Sequence, residues 1–115
     1  MDRPSRLIES HRCVFDRELL SNSHGYGELD LVGQEAFVNH VHFMGLNRES
    51  QAKELVQIWS EELRAKWPHD RFRIYWHEDD SEITVRFHRV REGMPNWYES
   101  GLPNVQVIEV TERCI

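Results

Sequence analysis

Two runs of alternating residues, Arg71 to His77 and Glu82 to His88, flank the acidic stretch Glu78 to Ser81. Successive side chains of a strand point to opposite faces, so alternation on both sides of a polar turn defines a β-hairpin. Phe72, Ile74 and Trp76 share one face of the first run; Ile83, Val85 and Phe87 share one face of the second. Pairing Phe72 with Phe87, Ile74 with Val85 and Trp76 with Ile83 keeps those side chains together. A shift by one residue would set them against Glu82 and Thr84. The chosen register is compatible with a loop at Asp79–Asp80 or one from Glu78 to Ser81. It also sets Arg73 opposite Arg86 and Arg71 opposite His88, like charges whose opposition costs roughly 0.2–1 kcal/mol.

Ahead of the hairpin, Ala52, Leu55, Val56, Trp59 and Leu63 recur at the three-and-four spacing of an apolar helical stripe. Asn47 at the start, Glu49 in the first turn and Pro68 beyond the end bound a helix over 47–66. Glu49–Lys53 and Glu62–Lys66 are i,i+4 pairs along it. The stretch from Ala36 to Met44 reads as a strand ended by Gly45, and 104–110 as another. Short links on both sides of the helix imply a right-handed crossover between two parallel strands, 36–44 and 71–78. The first twenty residues carry Leu7, Ile8, Val14, Phe15, Leu19 and Leu20, which favours a helix there over a strand through Cys13 to Phe15. The expected architecture is α+β: a mostly antiparallel four-stranded sheet with one parallel β-α-β crossover, a central helix on one face and an N-terminal helix.

A chain of 115 residues, 39% hydrophobic and 30% charged, suits a single domain over 1–115 and is too apolar for wholesale disorder. No apolar run at the start suggests a secretory signal, and no segment approaches a membrane span of about 20 apolar residues. With Cys13 and Cys114 as the cysteines and no Cys-x-x-Cys spacing, free thiols and a cytoplasmic location are the expectation.

If the helix covers the apolar face, including Phe37, Val41 and Phe43, the opposite face collects His40, His42, Arg71, Arg73, Tyr75, His77, Arg86 and His88. Residues 71–91 hold five arginines against four acids, on a chain with a formal net charge of −6. The basic face is thus local, and the overall charge disfavours nucleic acid as partner, as does the single ring, Tyr75, offered for base stacking. Two sources of compensating negative charge present themselves. One is intramolecular: Glu9, Asp16 and Glu18 of the N-terminal segment laid over the face. The other is an acidic protein surface or a small anionic ligand, which arginine's planar fork recognises bidentately.

His40 and His42 have the spacing of some metal ligands on strands, with His77, His88 or Glu82 as a third. The neighbouring guanidinium groups oppose a cation, so no metal or other cofactor is expected. No glycine-rich phosphate loop or nucleophile motif occurs. In the long segment 91–103, Trp97 is expected to tuck inward as a cap on the core, with Tyr98 left exposed. These residues favour a non-enzymatic binding or regulatory module with ligand contacts from Arg71, Arg73, Tyr75, Arg86, His88, His40, His42 and Tyr98. A histidine-based enzyme on the same face, with or without a metal, is the alternative. A homo-oligomer stays open.

Overall fold

The computed structural model describes residues 5–97 and 104–111. Tyr98 and Cys114, both singled out above, lie outside the described residues. The elements run β1 (Leu7–Ser10), β2 (Cys13–Asp16), α1 (Arg17–Ser21), α2 (Leu31–Val38), β3 (His40–Met44), α3 (Arg48–Lys66), β4 (Phe72–Glu78), β5 (Glu82–Arg89) and β6 (Val105–Val110). A four-stranded sheet has the order β3-β5-β4-β6, and β1 and β2 form a separate hairpin. The fold is therefore α+β with a central helix, as expected.

The expected crossover does not produce a parallel pair. Every pairing among the described residues is antiparallel, and β5 lies between β3 and β4, pairing with both, so that those two strands run the same way without meeting. The short links around α3 restrict the direction of the strands they join but not whether another strand is inserted between them.

Helix α3 forms where the stripe places it. Ala52, Leu55, Trp59 and Leu63 are buried against Phe72, Ile74, Ile83, Val85 and Phe87, with Val41, Phe43, Val56 and Trp76 partly buried around them. The Trp59 and Phe87 rings meet edge to face at 4.8 Å. Each such side chain contributes about 1.5–3 kcal/mol by leaving water. The Glu49–Lys53 and Glu62–Lys66 pairs form at 3.0 and 3.3 Å. Asn47 holds the N-cap position but makes no side-chain capping bond there.

Two elements depart from expectation. The first twenty residues make the β1–β2 hairpin and only a five-residue helix, α1. His11 and Arg12 turn that hairpin in the left-handed region, φ 50° and 70°. Residues 36–38, assigned above to a strand, complete α2, which Asp30 caps by accepting from the Gly33 N–H at 2.7 Å. As a result Phe37 is exposed rather than in the core, and Val38 is buried beside Cys13 and Phe15.

The N-terminal hairpin does not bring its acids over the basic sheet face. Its backbone is fastened to α3: the Glu62 carboxylate accepts from the N–H groups of Arg6 and Leu7, the latter at 2.6 Å. Burial opposes the Glu62 charge, but those N–H groups, with the Ser5 hydroxyl and Lys66, offset it and hold the carboxyl below its ordinary range. Asp16 is fully buried, where it accepts from Trp59 Nε1 at 3.0 Å and Arg6 Nε at 2.5 Å while capping α1. Glu9 meets Arg89 at 3.3 Å, and Glu18 approaches Arg6 at 3.8 Å.

Candidate functional site

Phe72 pairs with Arg89, Ile74 with Phe87 and Trp76 with Val85, a register displaced by two residues from the expected one. A two-residue shift leaves every side chain on its own face, so the apolar pattern alone cannot select between the two. The turn does. The Asp79 N–H donates to Glu82 O at 3.0 Å, and the Asp79 carboxylate accepts from the N–H groups of Ser81 and Glu82 at 3.0 and 2.9 Å. The apex is thus Asp80–Ser81, closed by an Asp side chain that mimics a backbone acceptor.

This displacement removes the predicted opposition of Arg73 and Arg86. Three cross-strand rows now define the polar face. His40, Arg86, Tyr75 and Val107 lie side by side in one; His42, Thr84, His77 and Val105 in the next; His88, Arg73 and Glu109 in the third. In that third row Arg73 donates through Nε to Glu109 at 2.8 Å, and Arg71 reaches the same carboxylate at 3.8 Å. The negative neighbour therefore comes from β6 rather than from the N-terminus. Burial works against the Arg73 charge, yet hydrogen bonding to Tyr75 and the nearby Glu109 raise its pKa above the ordinary value.

Tyr75 and His88, expected on an open face, are buried. The Tyr75 hydroxyl meets His88 Nε2 at 2.8 Å, and His88 Nδ1 meets the Arg89 carbonyl at 2.8 Å. A carbonyl only accepts, so His88 carries its proton on Nδ1 and the Tyr75 hydroxyl donates to Nε2. Burial depresses the His88 pKa and keeps the ring neutral. Beside it, buried Glu35 of α2 accepts from the N–H groups of Val14 and Arg89, at 2.7 and 2.8 Å, and from Arg91 at 2.6 Å. Asn39 accepts from the Asp16 N–H and donates to the Val14 carbonyl. These groups lock α2 and the β1–β2 hairpin to β5 and leave the next two rows to shape a surface.

That surface is a cleft of about 370 Å³ lined by His42, Tyr75, His77, Asp79, Glu82, Thr84, Arg86, Trp97 and Val105. Trp97 does not tuck into the core. It stays 45% exposed and packs against the Tyr75 ring at 5.3 Å and the Arg86 guanidinium at 4.2 Å, forming a wall over the polar face. Arg86 is partly buried and makes one hydrogen bond, from Nη1 to the Ala36 carbonyl at 3.2 Å. Among the described residues no carboxylate pairs with it, and burial lowers its pKa. Every other arginine of residues 71–91 has an acid: Glu109 for Arg71 and Arg73, Glu9 and Asp70 for Arg89, and Glu35 for Arg91.

The histidines divide between two settings. His42 Nδ1 lies 2.5 Å from Glu82 and 2.9 Å from Thr84 Oγ1. His40, whose ring meets that of His42 at 5.1 Å, donates to the Phe37 carbonyl at 2.5 Å, and burial lowers its pKa. Among the described residues, no three His, Cys, Asp or Glu side chains come together to hold a metal ion. No helix among them is long and apolar enough to cross a membrane.

Of the residues proposed from sequence, Tyr75, Arg86 and His42 line the cleft, His40 adjoins it, and His88, Arg73 and Arg71 stand in or beside the supporting row. Trp97, Thr84, Asp79 and Val105 are additions. Thr84 and Val105 had a legible place in the alternation once the strand partners were known, whereas Trp97 lies in a segment without periodicity. Comparison with protein-family models, with curated proteins and with solved structures finds no match to this chain. The site's chemistry therefore carries the functional reading.

Proposed function

We propose that this chain is a non-enzymatic binding or regulatory module that takes the anionic group of a ligand in the cleft at Arg86. The supporting observation is the guanidinium itself: partly desolvated, lying over the Trp97 ring, bonded once to a backbone carbonyl and without a carboxylate among the described residues. Leaving a desolvated charge unpaired is costly, and a bound carboxylate or phosphate would supply the missing charge and two-pronged acceptor. A concave site favours a small ligand over the flat acidic face of a protein. The test is a thermal-shift screen of simple anions at fixed ionic strength, on the wild type and on Arg86→Met. An anion that raises Tm in the wild type alone is expected; equal responses in both proteins would overturn the reading.

A histidine-based enzyme is the second reading, and the His42–Glu82 pair favours it. A carboxylate at Nδ1 orients an imidazole and sets the tautomer in which Nε2 takes protons, the arrangement of a general base. It predicts turnover that disappears in His42→Gln. Arg86 weighs more, because a cation without a counterion calls for an anion whether or not a reaction follows.

A further inference from the structure

Resting on the Arg86 cleft as an anion site, we infer that its ligand is a monocarboxylate carried on a flat apolar body, an aromatic carboxylic acid being the simplest example. Charge comes first. The cleft lining contains one guanidinium without a counterion and two carboxylates, Asp79 and Glu82. The other arginines of residues 71–91 are already paired with Glu109, Glu9, Asp70 and Glu35. Glu82 is also the partner of His42. One negative charge on the ligand therefore matches the Arg86 guanidinium, whereas the second charge of a phosphate ester would face Asp79 and Glu82 with no cation left to meet it.

Shape and polarity come next. Trp97 and Tyr75 stand edge to face, 5.3 Å between centroids, and Val105 lies across the sheet from them in the adjoining row. Such walls favour an apolar body, and aromatic groups gain by stacking or edge contact with them. The guanidinium adds to this, since it already lies over the Trp97 ring and its Nε and Nη2 donors have no partner among the described residues. A carboxylate meeting those donors would bring a ring attached to it close to Trp97. The cleft volume of about 370 Å³ is near the lower end of ordinary ligand sites. His77, in the row beside Arg86, offers a polar contact to one edge of such a ligand.

The experiment varies head and body separately. Benzoate, acetate, phenyl phosphate and inorganic phosphate are titrated calorimetrically into the wild type, Arg86→Met and Trp97→Ala, with near-ultraviolet circular dichroism as the folding control. The expected order is benzoate tightest, with acetate at least about tenfold weaker and both phosphates weaker than benzoate. Trp97→Ala, which removes the ring beside the guanidinium, should weaken benzoate more than acetate. Acetate binding as tightly as benzoate would overturn the apolar body. Phenyl phosphate or phosphate binding more tightly, and depending on Arg86, would overturn the carboxylate while leaving the anion site intact. Absence of Arg86-dependent binding for all four would overturn the cleft reading beneath both. Should Arg86→Met fail to fold, the benzoate-to-acetate ratio in wild type and Trp97→Ala decides the matter.

Discussion

The Arg86 guanidinium lies 4.2 Å from the centre of the Trp97 ring and no carboxylate among the described residues reaches it. A partly desolvated charge held by a ring face and one carbonyl contributes little to folding, because its desolvation offsets what those contacts provide. Arg86→Met should therefore leave the midpoint of urea unfolding unchanged or raised. A loss above about 2 kcal/mol would mean that Arg86 is a structural residue with a stabilising partner.

Glu35 is the opposite case, a fully buried carboxylate whose two oxygens both accept hydrogen bonds. Truncating it leaves Arg91 without its carboxylate and the Val14 and Arg89 N–H groups without their acceptor. Glu35→Ala should cost about 3–5 kcal/mol in chemical denaturation, with α2 and the β1–β2 hairpin losing amide-exchange protection first.

These two residues show what was legible and what was not. Alternation in 71–88 and the stripe in 47–66 specified β4, β5, α3, the core between them and the membership of the polar face. Those features follow from period alone. Register along the hairpin did not follow, since pairings two residues apart bury the same side chains and the choice lay with Asp79's bonds to the turn backbone. The Arg73–Arg86 repulsion vanished with that choice. Helix α2 was hidden because Ala36, Phe37 and Val38 are as suited to a strand as to the last turn of a helix. Glu35 carried no sign of burial, because its partners lie on β2, β5 and beyond β5.

Cys13 is buried beside Phe15 and Val38, and burial, aided by the Glu35 charge, pushes its thiol up to about 11. Thiolate is the reactive form, so in a Cys114→Ser background Cys13 should resist a thiol reagent near neutral pH and react fully in denaturant. Prompt labelling of the native protein would contradict this packing.

His88 and His40 both titrate below the ordinary histidine value in the folded protein, chiefly because burial disfavours their charged forms. The unfolded chain then takes up protons first as pH falls. Stability is accordingly full above about pH 6.5 and declines from there toward the folded-state values. Lowered carboxyls such as Glu9 and Glu62 act only further down, below their ordinary 4.5. Urea midpoints collected between about pH 7 and 5 should fall with acidification, and less steeply in His88→Gln. An unchanged slope in that variant would place the proton uptake elsewhere.

The most direct measurement is a titration of benzoate followed by the indole and amide NMR signals of the protein, with Trp97 assigned through Trp97→Phe. Binding at Arg86 predicts saturable movement of the Trp97 indole and of the His42, Thr84 and Arg86 amides in the wild type, and none in folded Arg86→Met. Signals that stay still in the wild type, or that move equally in the variant, would contradict a carboxylate site at Arg86.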